Sequence, residues 1–299
     1  MTTRGVVFIA VALFSATPRI VAQDFNELPA TRAISFGTSL QSSVNSLAAV
    51  SRFDVSGAYQ FQKHWQLTLG VPFYFIDPRG ATASAGYTSA RGLGNVYTAL
   101  RYTHLSPRVN YASTLTATAP TGDRSQGLSN GHVTVDWTNS FDRTFGRVTP
   151  FADIGAASAV SDTMYFVRAY TSSGFITHGQ GGVRFRVAKY MSVGGAGYFI
   201  EPAGTQTVIS RVVTRKNVQL PVNVPGSGLA KGVANRVFET TAVSTGASLA
   251  RDRGASAFVV FGKNPGVNFY GGYTHSSTFD LHTVFFGAGF NVRKPLGGI

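Results

Sequence analysis

Arg184 and Arg186 stand two residues apart in Val183-Arg184-Phe185-Arg186-Val187. On an extended chain that spacing sets both guanidinium groups on one face and three apolar side chains on the other. Asp54, Arg101 and Asp136 have the same setting: Asp54 lies between Phe53 and Val55, Arg101 between Leu100 and Tyr102, and Asp136 between Val135 and Trp137. Charges held to one face of such strands belong to an enclosed interior, and two readings follow. Basic residues lining an open path favour anions. Alternatively, the arginines pair with Asp54, Asp136 or Asp153 and fill a narrow lumen.

Other chemistry is less well supported. His275-Ser276-Ser277 has a His-x-Ser spacing that would put imidazole and hydroxyl on one strand face. No Asn follows the serine, and the stretch is expected to be a polar loop at a rim, so no catalysis is expected. His64, His104, His132, His178, His275 and His282 are scattered without metal-ligand spacing, and acids are few. Neither a metal nor any other cofactor is expected. Gly179-Gln180-Gly181-Gly182 lacks the lysine and the following helix of a phosphate loop. With no cysteine in the chain, thiol catalysis, thiolate metal sites, disulfides and a lipidated N-terminal cysteine are excluded.

The elements that must position these residues are strands. From Phe53 to Phe75 every second residue outside the turn is apolar, aromatic or glycine: Phe53, Val55, Gly57, Tyr59, Phe61, then Trp65, Leu67, Leu69, Val71, Phe73, Phe75. The few residues around Lys63-His64 force the two runs into an antiparallel hairpin. Each run is about ten residues long, enough to cross a bilayer as a tilted strand. Phe61 and Trp65 flank the turn, where an interfacial aromatic girdle belongs.

Twelve strands are predicted in all: Ala33–Gln41, Ser51–Gln62, Trp65–Phe75, Gly94–Leu105, Val109–Ala119, His132–Phe141, Val148–Ser158, Phe175–Val187, Met191–Ile200, Val237–Ala250, Ala255–Lys263 and Phe279–Val292. Connections after even-numbered strands are short, as at Ser106-Pro107-Arg108. Those after odd-numbered strands are longer: Ser42–Val50, Ile76–Leu93, Pro120–Gly131, Ala159–Gly174, Glu201–Arg236 and Asn264–Thr278. An even strand number with short turns on one rim and long loops on the other describes an all-β, antiparallel transmembrane barrel of the outer membrane.

Composition agrees. Charged residues are 13% of the 299, about half the share usual in a soluble domain, whereas aromatics are 12% and glycines number 34. That is a coat for lipid rather than for water. Met1 to Arg4 carry a positive charge, Gly5 to Ala16 are apolar apart from Ser15, and small residues surround Ala22-Gln23. Residues 1–23 therefore have the layout of a secretory signal peptide, and 24–299 form one barrel domain. The net charge of +13 would suit nucleic acid, but export argues against that partner.

Gly92-Leu93-Gly94-Asn95, Pro120-Thr121-Gly122-Asp123, Gly127-Leu128-Ser129 and Thr149-Pro150-Phe151 resemble motifs of the barrel family labelled "MetA-pathway of phenol degradation". The resemblance spans about Phe53 to Phe199, with Asn95 where an aspartate is commoner. It implies a channel or transporter in a Gram-negative outer membrane, passing small solutes; aromatic or anionic ones are the candidates. The alternatives are a lipid-acting hydrolase and a structural or adhesive barrel without a pore. The connection Glu201–Arg236 carries Arg211, Arg215, Lys216, Lys231 and Arg236 against one acid. It is expected to contact lipopolysaccharide, to fold inward as a partial plug, or to stay solvated, with Val208 to Val213 extending a hairpin above the membrane.

Overall fold

The computed structural model describes residues 33–80, 84, 87–160, 167–168, 170–211, 213–218, 235–239, 242–245, 251–262 and 266–292. The expected signal peptide lies outside these residues. Twelve long strands form the wall: β1 (Ile34–Val44), β2 (Ala48–Gln62), β3 (Trp65–Pro78), β4 (Tyr97–His104), β5 (Asn110–Thr118), β6 (Thr134–Asp142), β7 (Val148–Ala157), β8 (Ile176–Ala188), β9 (Met191–Pro202), β10 (Asp252–Gly262), β11 (Val267–Ser276) and β12 (Leu281–Val292). Each pairs antiparallel with its sequence neighbour, and β12 returns to β1 from Ile34↔Val292 to Val44↔His282. Between β1 and β2, Gln60 N donates to Ala33 O and Asn45 N to Ala48 O. The result is a closed antiparallel barrel, which leaves no sheet edge unpaired within the wall.

The alternation seen in the sequence sorts side chains to the two faces of the wall. Leu69, Trp137 and Phe286 point out and are more than half exposed, with Ile34, Leu67, Val135 and Phe185 beside them. This belt can only be satisfied by lipid. At the short-turn rim Phe61, Phe145, Tyr190, Phe261 and Phe269 are exposed, and Trp65 packs on Tyr102 at 5.1 Å, forming the expected girdle. Register shifts near Gln60/Gln62 and Arg186/Ala188 lie at that rim, where bulges tolerate a change of twist.

The expected tenth strand, Val237–Ala250, is not in the wall. It overlaps two short strands, Asn235–Glu239 and Ala242–Thr245, which pair outside the barrel sheet. The expected eleventh strand is β10, and the real eleventh, Val267–Ser276, falls in what the sequence suggested was a loop. Gly271-Gly272 weakens the strand signal there, yet the barrel needs both glycines. A Cβ on Gly272 would come 2.5 Å from the Phe285 ring, and one on Gly271 2.9 Å from Phe286. Two expected long connections are therefore tight: β1 ends at Val44 with β2 starting at Ala48, and β11 ends at Ser276 with β12 starting at Leu281. The longest connection runs on to Arg251 rather than stopping at Arg236.

Four connections on that rim remain long, and short strands within them pair with one another. Ala90–Leu93 extends the wall beside β3. Tyr170–Ser173, Gln206–Ser210 and Ala242–Thr245 form one small sheet, while Tyr87–Thr88, Val213–Val218 and Asn235–Glu239 form another.

Candidate functional site

The resembling motifs build the mouth. Gly94 sits beneath the Tyr74 ring, where a Cβ would come 2.3 Å from the ring edge, and its N donates to Pro72 O. Thr121 Oγ donates to Gly94 O and accepts from Val96 N, while Gly122 N donates to Asn95 Oδ1. Asn95 accepts through an oxygen that an aspartate would also supply, so this departure from the motif leaves the clamp intact. Asp123 accepts from Ser125 N, Ser125 Oγ and Gln126 Nε2 at 2.6–2.8 Å. Those bonds, the Ser125 hydroxyl first, hold its carboxyl below the ordinary value.

Two inward turns of chain cross the lumen at the long-loop end. After β7 the chain buries Ala159, Val160, Val167 and Arg168. Val167 N donates to Ser43 Oγ of β1, and Arg168 Nη2 lies 2.6 Å from Asp252 Oδ2 of β10. Both partners of that ion pair are 0–1% exposed. Ser276 Oγ donates to the other Asp252 oxygen at 2.6 Å, and Tyr198 OH lies 3.3 Å from the pair. A desolvated carboxylate is tolerable only with this degree of satisfaction. From the longest connection, Arg211 stacks over Tyr74 at 4.5 Å and donates through Nη1 to the Arg168 carbonyl. Gln206, wholly buried, donates to Phe175 O and Ala203 O.

The interior is unequal on its two sides. Along β7 to β12, Ile176, Ile200, Phe258, Tyr270 and Phe285 pack together with Phe151 and Tyr198. Their rings lie over glycines: Phe258 over Gly194, Tyr270 over Gly287. That side is filled. The remaining space, beneath Arg211 and Leu128, is a cavity of about 310 Å³ whose lining mixes hydroxyl, amide and charged groups with the apolar surface of Tyr74, Tyr97, Ile176, Phe199 and Ile200. Arg52 ion-pairs with Asp54, which also accepts from Tyr97 OH at 2.8 Å. Asp136 Oδ2 lies 3.0 Å from His178 Nε2, and Thr138 donates to its other oxygen. Gln180 Nε2 donates to Asp153, whose charge acts on Arg101 together with that of Asp142.

Of the five residues singled out in sequence, the cavity collects Asp54, Arg101 and Asp136. Arg184 is buried on the inner face but outside the cavity wall, and Arg186 reaches the short-turn rim, where it donates to Gly146 O at 2.8 Å. Arg52, His178 and Gln180 were missed. Arg52 lies two residues before Asp54, and His178 and Gln180 lie six and four before Arg184, so same-face spacing could have found them. Nothing in the sequence marks Arg168, which lies in a connection. The long connection folds inward at Arg211, while the side chains of Arg215, Lys216, Lys231 and Arg236 lie outside those described.

Two expectations about histidine need correction. His275 and Ser276 end β11 rather than lying in a loop; Ser276 faces inward to Asp252, and Ser277 Oγ donates to Arg253 O. Nor are the histidines all scattered: His275 and His282 are cross-strand partners, with Asp280 beside them.

The fold, with its exposed apolar belt and lined interior, is that of a bacterial outer-membrane β-barrel. No family model matches the chain, and no curated protein does. Among solved structures, an outer-membrane channel from Pseudomonas putida F1 matches with TM-score 0.60 and 12% identity, covering 91% of this chain and all of that one. The NanC porin matches at TM-score 0.48 and 8% identity over 85% and 98% of the two chains. The Ralstonia pickettii toluene transporter TbuX matches at 0.41 and 9% over 87% and 88%. At these identities the likeness to the P. putida channel concerns the fold alone.

Proposed function

We propose that this barrel lets small solutes enter or cross an outer membrane, and that its inward-folded turns narrow the mouth to them. The observation that carries this reading is the cavity of about 310 Å³ beneath Arg211, bounded by Arg52, Asp54, Arg101, Asp136 and Asp153. Its volume suits a small molecule. Thr68, Thr116, Thr138, Gln66 and Asn130 add hydroxyls and amides that can replace a solute's water shell. Tyr74, Leu128, Ile176, Phe199 and Ile200 line the same cavity, so a solute meets apolar surface beside the polar groups. The motif resemblance to the "MetA-pathway of phenol degradation" barrels supports the same channel role and favours solutes taken up for catabolism. Outside the wall, the long-loop rim meets the outer leaflet, and lipopolysaccharide is its expected neighbour there.

Planar-bilayer recording with the purified barrel tests the reading, with proteoliposome swelling in neutral sugars of increasing size beside it. Discrete conductance with swelling limited to the smallest sugars is expected. A folded barrel, resistant to detergent until boiled, that gives neither signal would leave only a structural role.

A further inference from the structure

The tight turn joining β11 to β12 brings three ligand-bearing side chains together. His275 and His282 face each other across the hairpin, with ring centroids 4.8 Å apart and nearly parallel planes. Asp280, in the turn, puts Oδ1 3.3 Å from His282 Nε2. One ligand atom from each of the three lies within 4.8 Å of the others. Asp280 is the one non-glycine residue with positive φ among the described residues, at 46°. Such a conformation is uncommon for a residue with a side chain and persists where its surroundings fix it.

We propose that His275, His282 and Asp280 form a binding site for a transition-metal dication of the zinc, nickel or copper kind. The chemistry of the donors selects that class. Two imidazoles and a single carboxylate suit borderline metals, whereas calcium and magnesium require mostly oxygen ligands. Bonds of about 2.0–2.2 Å to a tetrahedral ion set ligand atoms about 3.4 Å apart, so rotamer adjustment at two exposed side chains closes the set. Water fills the remaining position at this exposed rim.

Two further contacts fit a metal site better than a polar surface patch. His275 Nδ1 is buried without a hydrogen-bond partner, a loss that a coordinate bond through the imidazole's lone pair would remove. Tyr273 OH meets His282 Nδ1 at 2.5 Å. If that nitrogen carries the proton and donates to the tyrosine oxygen, Nε2 is left as the lone-pair donor facing Asp280. A partner on the second ring nitrogen is the usual means of fixing tautomer and orientation in a ligating histidine. The His64–His104 pair at the opposite rim provides an internal contrast. Its rings are 6.2 Å apart and His64 Nδ1 is taken by Thr103 O at 2.7 Å, so it forms no comparable cluster. A bound ion would pin the ends of β11 and β12 where β12 also pairs β1, at the outward face of the long-loop rim.

The test is a Zn²⁺ titration of the full barrel in detergent, prepared without a polyhistidine tag and checked for folding by its unheated gel migration. One equivalent should bind. His275→Gln and His282→Gln should each weaken binding at least about tenfold and Asp280→Asn less, while Tyr273→Phe should cost about 10–100-fold without removing a ligand. Excess Ca²⁺ or Mg²⁺ should not compete. With Cu²⁺ as probe, electron paramagnetic resonance should show two coordinated nitrogens in the native protein and fewer in either histidine variant. Zn²⁺ binding as tight in the folded His275→Gln/His282→Gln double variant as in the native protein would overturn the proposal, as would no binding by the native barrel.

Discussion

Leu69 and Thr68 are adjacent in sequence and lie on opposite sides of the wall. Leu69 is 58% exposed on the outer face, and Thr68 borders the cavity. An arginine at position 69 would have to enter hydrocarbon, so Leu69→Arg is expected to cost about 2–4 kcal/mol if the site lies near the midplane. Thr68→Arg enters a polar, charged space and should be tolerated. Urea unfolding of both variants in lipid vesicles measures the difference; equal stabilities would mean that the assigned faces are wrong. At this scale period-two spacing made much of the barrel legible, because lipid on one side and a polar lumen on the other enforce it residue by residue. It placed Asp54, Arg101 and Asp136 inside. It did not bring His275 to His282, because that contact depends on the register of two strands, one of which the sequence concealed.

The inward turn after β7 is tied to the wall by Arg168, which pairs with Asp252 of β10, and by Val167 N, which donates to Ser43 Oγ. Removing one member of a buried ion pair leaves the other charge desolvated and costs about 3–5 kcal/mol. Arg168→Ala and Asp252→Asn should therefore each release the turn from the mouth while the barrel wall, held by its backbone ladder, stays closed. Single-channel conductance should rise in both variants with unheated gel migration unchanged. Conductance equal to that of the native protein would place the turn outside the solute path. This element was not legible beforehand. A connection's sequence records turn chemistry and charge but not which wall it folds against, and Val167 and Arg168 carry no periodic signal. Strands were legible where alternation was unbroken, as in β2, β3 and β12. They were lost at β11, where Gly271-Gly272 makes room for the rings of Phe286 and Phe285. The strand count survived because a false strand at Val237–Ala250 replaced the one missed at Val267–Ser276.

For the whole molecule, the net charge of +13 suggests an anion channel, but the lumen is far more evenly balanced. Arg52, Arg101 and Arg211 border the cavity, and so do Asp54, Asp136 and Asp153. Arg52 is matched by Asp54, so the field along the path depends chiefly on the remaining groups. Opposite charges on facing walls orient a polar solute without strongly excluding either sign of ion. The native barrel should accordingly show only weak ion selectivity in a salt gradient. Arg101→Gln removes a cation from the cavity wall, whereas changing Arg184 and Arg186 to glutamine removes one residue outside that wall and one bonded to Gly146 O at the short-turn rim. Arg101→Gln should therefore move the reversal potential toward cation preference by more than the Arg184→Gln/Arg186→Gln pair. Asp153→Asn should move it the opposite way. A larger shift from the rim pair than from Arg101→Gln would mean that the path runs along β8 and past Arg184, and that the polar cavity lies to one side of it.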